Sequence, residues 1–344
     1  MREPWPLYSD DPAFALHWLR QAMDASPSGQ QRAWLLRFFS YFGAADEAQA
    51  WLDRDGAELL QHPQARSALV RLRQLRGHPN PWLALLPPGE EASFQRHCER
   101  ILISNGPIQV GLAGGLGDQL EFMAQLLGGL QLQPAGLWSR VRCLLPEPSL
   151  PILAPLLQAD WPPQAQPWQG QARQASGQPF LSMMAFKALV AEQGPLPPSN
   201  PVRAAVSPVA PQPILLCCWR CKVDPEEKLW AHLRSLPFGG IAALYDQLGP
   251  LLRQRGLRVI DCTRYSPAEQ HWLQRHSSWL QLQGTRLGSF ADTAVLLQQA
   301  RAVVTVDTAL AHLARWCRVP VSLLLHRDAD ARWLQPATRA GVRI

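Results

Sequence analysis

The run Ala302-Val-Val-Thr-Val-Asp307-Thr308-Ala-Leu-Ala-His312-Leu-Ala314 decides the fold. Its β-branched, apolar opening reads as a buried strand, and the Asp-Thr pair turns it directly into a helix. At about 100° per residue, Leu310, Leu313, Ala314 and Cys317 share one apolar stripe, which leaves Thr308, His312 and Arg315 on the opposite face. His312 is thus out of phase with the core. A helix that starts at a strand end offers free backbone N–H groups and the positive end of its dipole, a setting that suits a diphosphate, with Thr308 and His312 adding hydrogen bonds. Two readings of these residues stay open: that phosphate site, or an Asp307 or Thr308 N-cap followed by a solvated histidine.

Upstream the same alternation repeats. Strands at Ile214–Trp219, Arg258–Asp261, Ala302–Val306 and Val321–Leu325 are separated by helices near 240–254, 267–275 and 289–300. Such alternation predicts a parallel sheet with ligands at the carboxyl ends of its strands. A proline-dense stretch, Gly194-Pro-Leu-Pro-Pro-Ser-Asn-Pro201 followed by Ser207–Pro213, excludes regular elements and marks a boundary. Before it, Gln109–Leu112 leads through Ala113-Gly114-Gly115-Leu116-Gly117-Asp118 into a helix with Met123, Leu126, Leu127 and Leu130 on one face, the opening of a second α/β unit. Val141–Leu145 is a further strand candidate, Phe180–Leu189 lies beyond it, and the polar stretch between Trp161 and Pro179 reads as loop. Residues 1–100 read as all-helical. A shift of 34 positions aligns Arg32 with Arg66, Leu35 with Leu69, Arg37 with Arg71 and Gly43 with Gly77, the period of a tetratricopeptide-like hairpin. Pro79 and Pro81 stand where a helix of the second unit should start, so the repeat is degenerate. The expected organisation is a helical segment over 1–100, an α/β lobe over 101–205 and a second α/β lobe over 206–344.

With 344 residues, 47% hydrophobic and 17% charged, the chain can bury two or three cores and is not disordered. No apolar run approaches the roughly 18 residues that span a bilayer. The stretch MREPWPLYSDDPAF lacks a secretory signal, so a cytoplasmic protein is expected. The charge of +6 is scattered instead of forming a basic stripe, which argues against nucleic-acid binding. The seven cysteines are an odd set without disulfide spacing, and reduced thiols are expected.

The segment SFADTAVLLQQARAVVTVDTALAHLARWCRVPVSLLL (289–325), with Ala331-Arg332-Trp333 beyond it, resembles the donor half of glycosyltransferase family 9, the family of the ADP-heptose:lipopolysaccharide heptosyltransferases. The resemblance extends to Trp219-Arg220-Cys-Lys222, to Leu233-Arg234-Ser235-Leu236-Pro237 and to Gly114-Gly115-Leu116-Gly117-Asp118-Gln119, covering about residues 108–127 and 214–334. It implies a GT-B fold: two Rossmann-like lobes facing across a cleft, acceptor on the first and nucleotide sugar on the second. It further implies that Asp118 is the base that deprotonates the acceptor hydroxyl, facing the Asp307–His312 helix end with room for a sugar between them. Gly114, Gly115 and Gly117 let backbone and ligand approach closely. Arg220 or Lys222 would neutralise the leaving diphosphate, and transfer would invert the anomeric centre. The donor would be a nucleotide-diphosphate sugar and the acceptor a glycan, lipid-linked or protein hydroxyl, with no cofactor and no metal. The helical segment is a possible surface for a protein partner. Read alone, Asp118 is equally a helix N-cap, and Arg220 an ordinary surface cation.

Other residues are assigned lesser roles. Arg234 either meets phosphate or holds the following turn, and Glu269 either touches a ribose or is solvated. Cys218-Trp-Arg-Cys221 lacks a second ligand pair, so zinc is not expected; Asp328-Ala-Asp330 is too short a pattern to carry a metal. The Gly114–Asp118 turn lacks the spacing of a dinucleotide fingerprint, which disfavours an oxidoreductase. The chain stops about eleven residues past Trp333, short of the returning helix that the resembled family carries. The alternative is a non-catalytic interaction protein with a degenerate transferase module.

Overall fold

A computed structural model describes residues 17, 20–25, 28–41, 44–112, 114–132, 135–153, 166–167, 180–194, 212–221, 234–325, 333 and 342–343. Helices come first: α1 (Gly29–Tyr41), α2 (Ala45–Leu59), α3 (Pro63–Leu75) and α4 (Glu91–Ile103), with a 3₁₀ turn at Pro81–Leu85. Proline at the first position of α3 needs no N–H partner, which favours a helix start there. The bounds of α1 and α3 coincide under the 34-residue shift read from the sequence, but the 3₁₀ turn replaces a second helix after α3. Pro87 and Pro88 account for this, since they fall inside the span of the shifted second helix and withhold amides that its interior would need. Helices α1–α3 bury their own apolar cluster around Leu36, Phe39, Leu59 and Leu72, whereas α4 buries Cys98 and Ile101 in the core of the sheets. They meet the next unit through buried Asn80, whose Nδ2 donates to the Ala188 carbonyl at 3.0 Å.

Two sheets follow, and every pairing in them is parallel. The first contains β1 (Ile108–Gly111), β2 (Val141–Leu145), β3 (Gln166–Pro167) and β4 (Phe180–Ser182) in the order β3-β2-β1-β4. The second contains β5 (Ile214–Cys218), β6 (Arg258–Asp261), β7 (Leu280–Leu282), β8 (Ala302–Val306), β9 (Val321–Leu324) and β10 (Val342–Arg343) in the order β10-β9-β8-β5-β6-β7. Counted within the sheet, this is the doubly wound order in which the chain reverses direction between its first and fourth strands. The first sheet repeats four consecutive positions of that order, 3-2-1-4. Each therefore has a switch point, between β1 and β4 and between β5 and β8.

The helices over these sheets are α5 (Leu116–Leu132), α6 (Met183–Gln193), α7 (Phe238–Gln254), α8 (Pro267–His276), α9 (Phe290–Gln299) and α10 (Ala309–Trp316). The apolar run Phe180–Leu189 divides into β4 and the first turns of α6, because the Ser182 Oγ accepts from the Ala185 amide and caps a helix there. An all-apolar run suits a buried strand and a buried helix alike, so only the cap separates them. In α5 Gly129 is required by packing: a Cβ there would lie 2.4 Å from Trp138 Cδ1. One apolar core runs unbroken through both sheets, from Ile108 and Phe122 to Leu310, Trp316 and Trp333, because α5 and α10 pack against each other. Among the described residues no helix is long and apolar enough to cross a membrane.

Candidate functional site

Both sequence-predicted turns sit at switch points. The Gly114–Asp118 turn follows β1, and Asp307, Thr308 and His312 follow β8. Gly114 holds φ +108°, a backbone conformation that a side chain rarely adopts, and this lets the chain turn from β1 into α5. The Asp118 carboxylate folds back over that turn, its Oδ2 3.3 Å from where a Gly114 Cβ would stand. Because α5 begins at Leu116, Asp118 is the third helical residue and not the N-cap; an acid there complements the helix dipole.

Every residue of α10 from Leu310 to Trp316 is buried, so the face expected to carry a solvated histidine is covered. His312 and Arg315 are buried along with Leu310, Leu313 and Ala314. What covers that face is α5: a Cβ on Gly117 would lie 2.6 Å from His312 Cδ2 and 2.9 Å from Nε2. The two helix starts are therefore in contact at Gly117 and His312, where the family resemblance implied room for a sugar. His312 also packs on Trp333, ring centroids 4.6 Å apart.

Thr308 is the N-cap of α10, yet its side chain makes no capping bond; its Oγ1 lies 3.0 Å from Thr305 Oγ1. The first amides of α10 thus lack a side-chain acceptor from their cap. Asp307, 6% exposed, has the Arg234 guanidinium on one side, Nη1 at 3.8 Å, and the His312 imidazole on the other, Nε2 at 3.9 Å. Its carbonyl accepts from the Cys221 thiol at 3.0 Å, which ties the segment after β5 to the start of α10.

Arg220 is held across the ends of β5 and β6. Its Nη2 and Nη1 donate to Glu269 Oε1 and Oε2 at 2.9 and 3.1 Å, and its Nε donates to the Leu236 carbonyl at 3.3 Å. Burial would raise the Glu269 pKa, but the Arg220 fork and the Ser266 bonds outweigh it and hold the carboxyl below its usual value. Glu269 is consequently neither solvated nor free. It closes a capping box with Ser266 at the start of α8, a pattern legible in Ser266-x-x-Glu269, whereas the Arg220 partner was not. Lys222, Asp328 and Asp330 lie outside the described residues.

Sequence reasoning missed the support beneath this loop. Asp261 is fully buried and accepts from Tyr245 and Tyr265 hydroxyls, each at 2.6 Å, and from the Thr263 amide at 2.7 Å. Trp219 joins through its Nε1 to Tyr245 Oη at 2.6 Å and through its amide to Thr263 Oγ1 at 2.9 Å. Desolvation raises the Asp261 pKa despite these donors. Gly284 seals the network, since a Cβ there would stand 2.0 Å from the Thr263 carbonyl oxygen. Burial pushes the Cys218 and Cys221 thiols up to about 12 and about 11, so both are protonated at neutral pH. Among the described residues no group of His, Cys, Asp or Glu is arranged to hold a metal ion.

No protein-family model and no curated protein matches the chain. Solved structures do. E. coli ADP-heptose lipopolysaccharide heptosyltransferase II is 13% identical over 63% of this chain and 84% of its own, with a TM-score of 0.42. E. coli heptosyltransferase WaaC with ADP is 12% identical over 63% and 86%, TM-score 0.40. A glycosyl transferase family 9 protein of Veillonella parvula is 12% identical over 65% and 83%, TM-score 0.41.

Proposed function

We propose that the protein is a GT-B glycosyltransferase that moves a sugar from a nucleoside-diphosphate sugar to an acceptor hydroxyl, with inversion and without a metal ion. The observation that carries this reading is the meeting of two switch points, an acid on a glycine turn opposite a helix start whose cap side chain makes no bond to it. In this reading the acceptor hydroxyl attacks the anomeric carbon while Asp118 takes its proton, and the bond to the diphosphate breaks on the opposite face of the sugar. The departing oxygen keeps the electron pair. The amides of α10, Thr308, His312 and Arg234 stabilise that charge, with Lys222 as a further cation. Entry of the donor requires the Gly117–His312 contact to open. The acceptor is a glycan, lipid-linked or protein hydroxyl, and helices α1–α3 offer a surface for a protein partner.

The same contact, together with an Arg220 charge already offset by Glu269, favours a second reading: a non-catalytic interaction protein built on a transferase module. Thermal stabilisation by ADP, GDP, UDP and CDP and their sugars separates the two, because a ligand that binds only the native state raises its melting point. A shift is expected with at least one, and none at all would leave only the second reading. With that donor, Asp118→Asn should lower turnover by about a hundredfold while binding persists. Normal turnover in this variant would remove the base assignment, and loss of activity with chelator would remove metal independence.

A further inference from the structure

Arg220 is the residue that the diphosphate reading uses least well. Three of its N–H groups already have acceptors, all in the plane of the guanidinium, and its charge is offset by a bidentate carboxylate. Its Cζ lies over the Tyr265 ring, 5.7 Å from the centroid. Tyr265 is itself pinned by its bond to Asp261, which the Trp219–Tyr245 pair also grips, so the ring cannot swing away. The Arg220 side chain is nevertheless 23% exposed. Those bonds fix the plane and leave two of its five N–H groups beyond them, and the face turned away from Tyr265 is the one a flat ligand could cover.

Its place on the sheet gives that face a partner. Across the second sheet the order runs β8, β5, β6, with neighbouring strands about 4.8 Å apart. Asp307 and Thr308 end β8; Arg220 follows β5 and reaches Glu269 after β6. A nucleotide whose phosphates sit at the start of α10 therefore lays its nucleoside one to two strand spacings away, over the Arg220–Glu269 bridge.

We propose that Arg220 is a nucleobase-stacking platform and not a phosphate ligand: the Glu269 fork and Tyr265 hold its guanidinium flat so that the base of the donor nucleotide lies on the open face. A planar, delocalised cation stacks on aromatic rings, as a lysine ammonium does not. This rests on the nucleotide-sugar reading above and adds the residue that receives the base.

The test is calorimetric binding of ADP, GDP, UDP, CDP and inorganic pyrophosphate to the wild-type chain, Arg220→Lys and Glu269→Gln. The nucleoside diphosphate that binds best should lose about tenfold in Arg220→Lys and a few-fold in Glu269→Gln, with pyrophosphate unchanged in both. Unchanged pyrophosphate binding also shows that each variant is folded. Equal loss of pyrophosphate and nucleotide in Arg220→Lys, or tighter pyrophosphate in Glu269→Gln, would make Arg220 a phosphate cation and overturn the proposal. So would a nucleotide affinity indifferent to Arg220→Lys. If no nucleoside diphosphate binds the wild-type chain, the donor reading fails first and the platform with it.

Discussion

Replacing Gly117 by alanine tests the contact on which the arrangement of the two sheets depends. The added methyl would stand 2.6 Å from His312 Cδ2 and 2.9 Å from Nε2, closer than real Cβ atoms come to any neighbour. The ring cannot yield easily, since it is 7% exposed and is held between Trp333 and Asp307. Overpacking of this kind costs about 1–3 kcal/mol. Alanine in a helix recovers up to about 1 kcal/mol relative to glycine, less in a first turn, so a net loss of about 1–2 kcal/mol is expected. For a chain of this length that is a fall of about 1–3 °C in melting temperature. Gly56→Ala supplies a control of opposite sign, because Gly56 lies inside α2 with nothing within 4 Å of its Cβ position, and it should stabilise by about 0.5–1 kcal/mol. Pairing Gly117→Ala with His312→Ala removes the ring that the new methyl would meet. The double variant should be at least about 1 kcal/mol more stable than the sum of the singles predicts. Urea unfolding of the wild type and the four variants reads all of this. Additive losses, or a Gly117→Ala variant as stable as the wild type, would mean that α5 and α10 do not meet at these residues.

Two further outcomes follow from buried or paired polar groups. The Glu269 pKa is lowered in the folded chain, so its ion pair contributes stability above the usual carboxylate range that is lost as pH falls through the lowered value; Glu269→Gln should flatten acid unfolding below about pH 4.5, and an unchanged acid limb would contradict the fork. Asn80→Ala removes the bond to the Ala188 carbonyl and should cost about 1–3 kcal/mol. Limited proteolysis should then cut between α3 and α4 faster than in the wild type, and equal cutting rates would show that Asn80 does not couple the helical segment to α6.

The sequence alone determined the elements whose signal is local. β2, β6 and β8 were legible to the residue, because each is a short apolar run bounded by turn residues. The starts of α8 and α9 carry their own capping boxes. The glycine turn and the Asp307–Thr308 turn were legible as well, since a strand that runs straight into a helix announces its own carboxyl end. The tertiary structure decided the rest. β3, β7 and β10 have three residues or fewer and owe their form to a neighbouring strand, which no local pattern encodes. Periodicity placed His312 opposite the apolar stripe of α10 but could not say what covers it, because one helix reports the phase of a face and not its occupant. Gly117, nearly two hundred positions away in sequence, covers it. The pairing of Arg220 with Glu269 spans 49 positions and two strands, so it exists only where β5 and β6 come side by side.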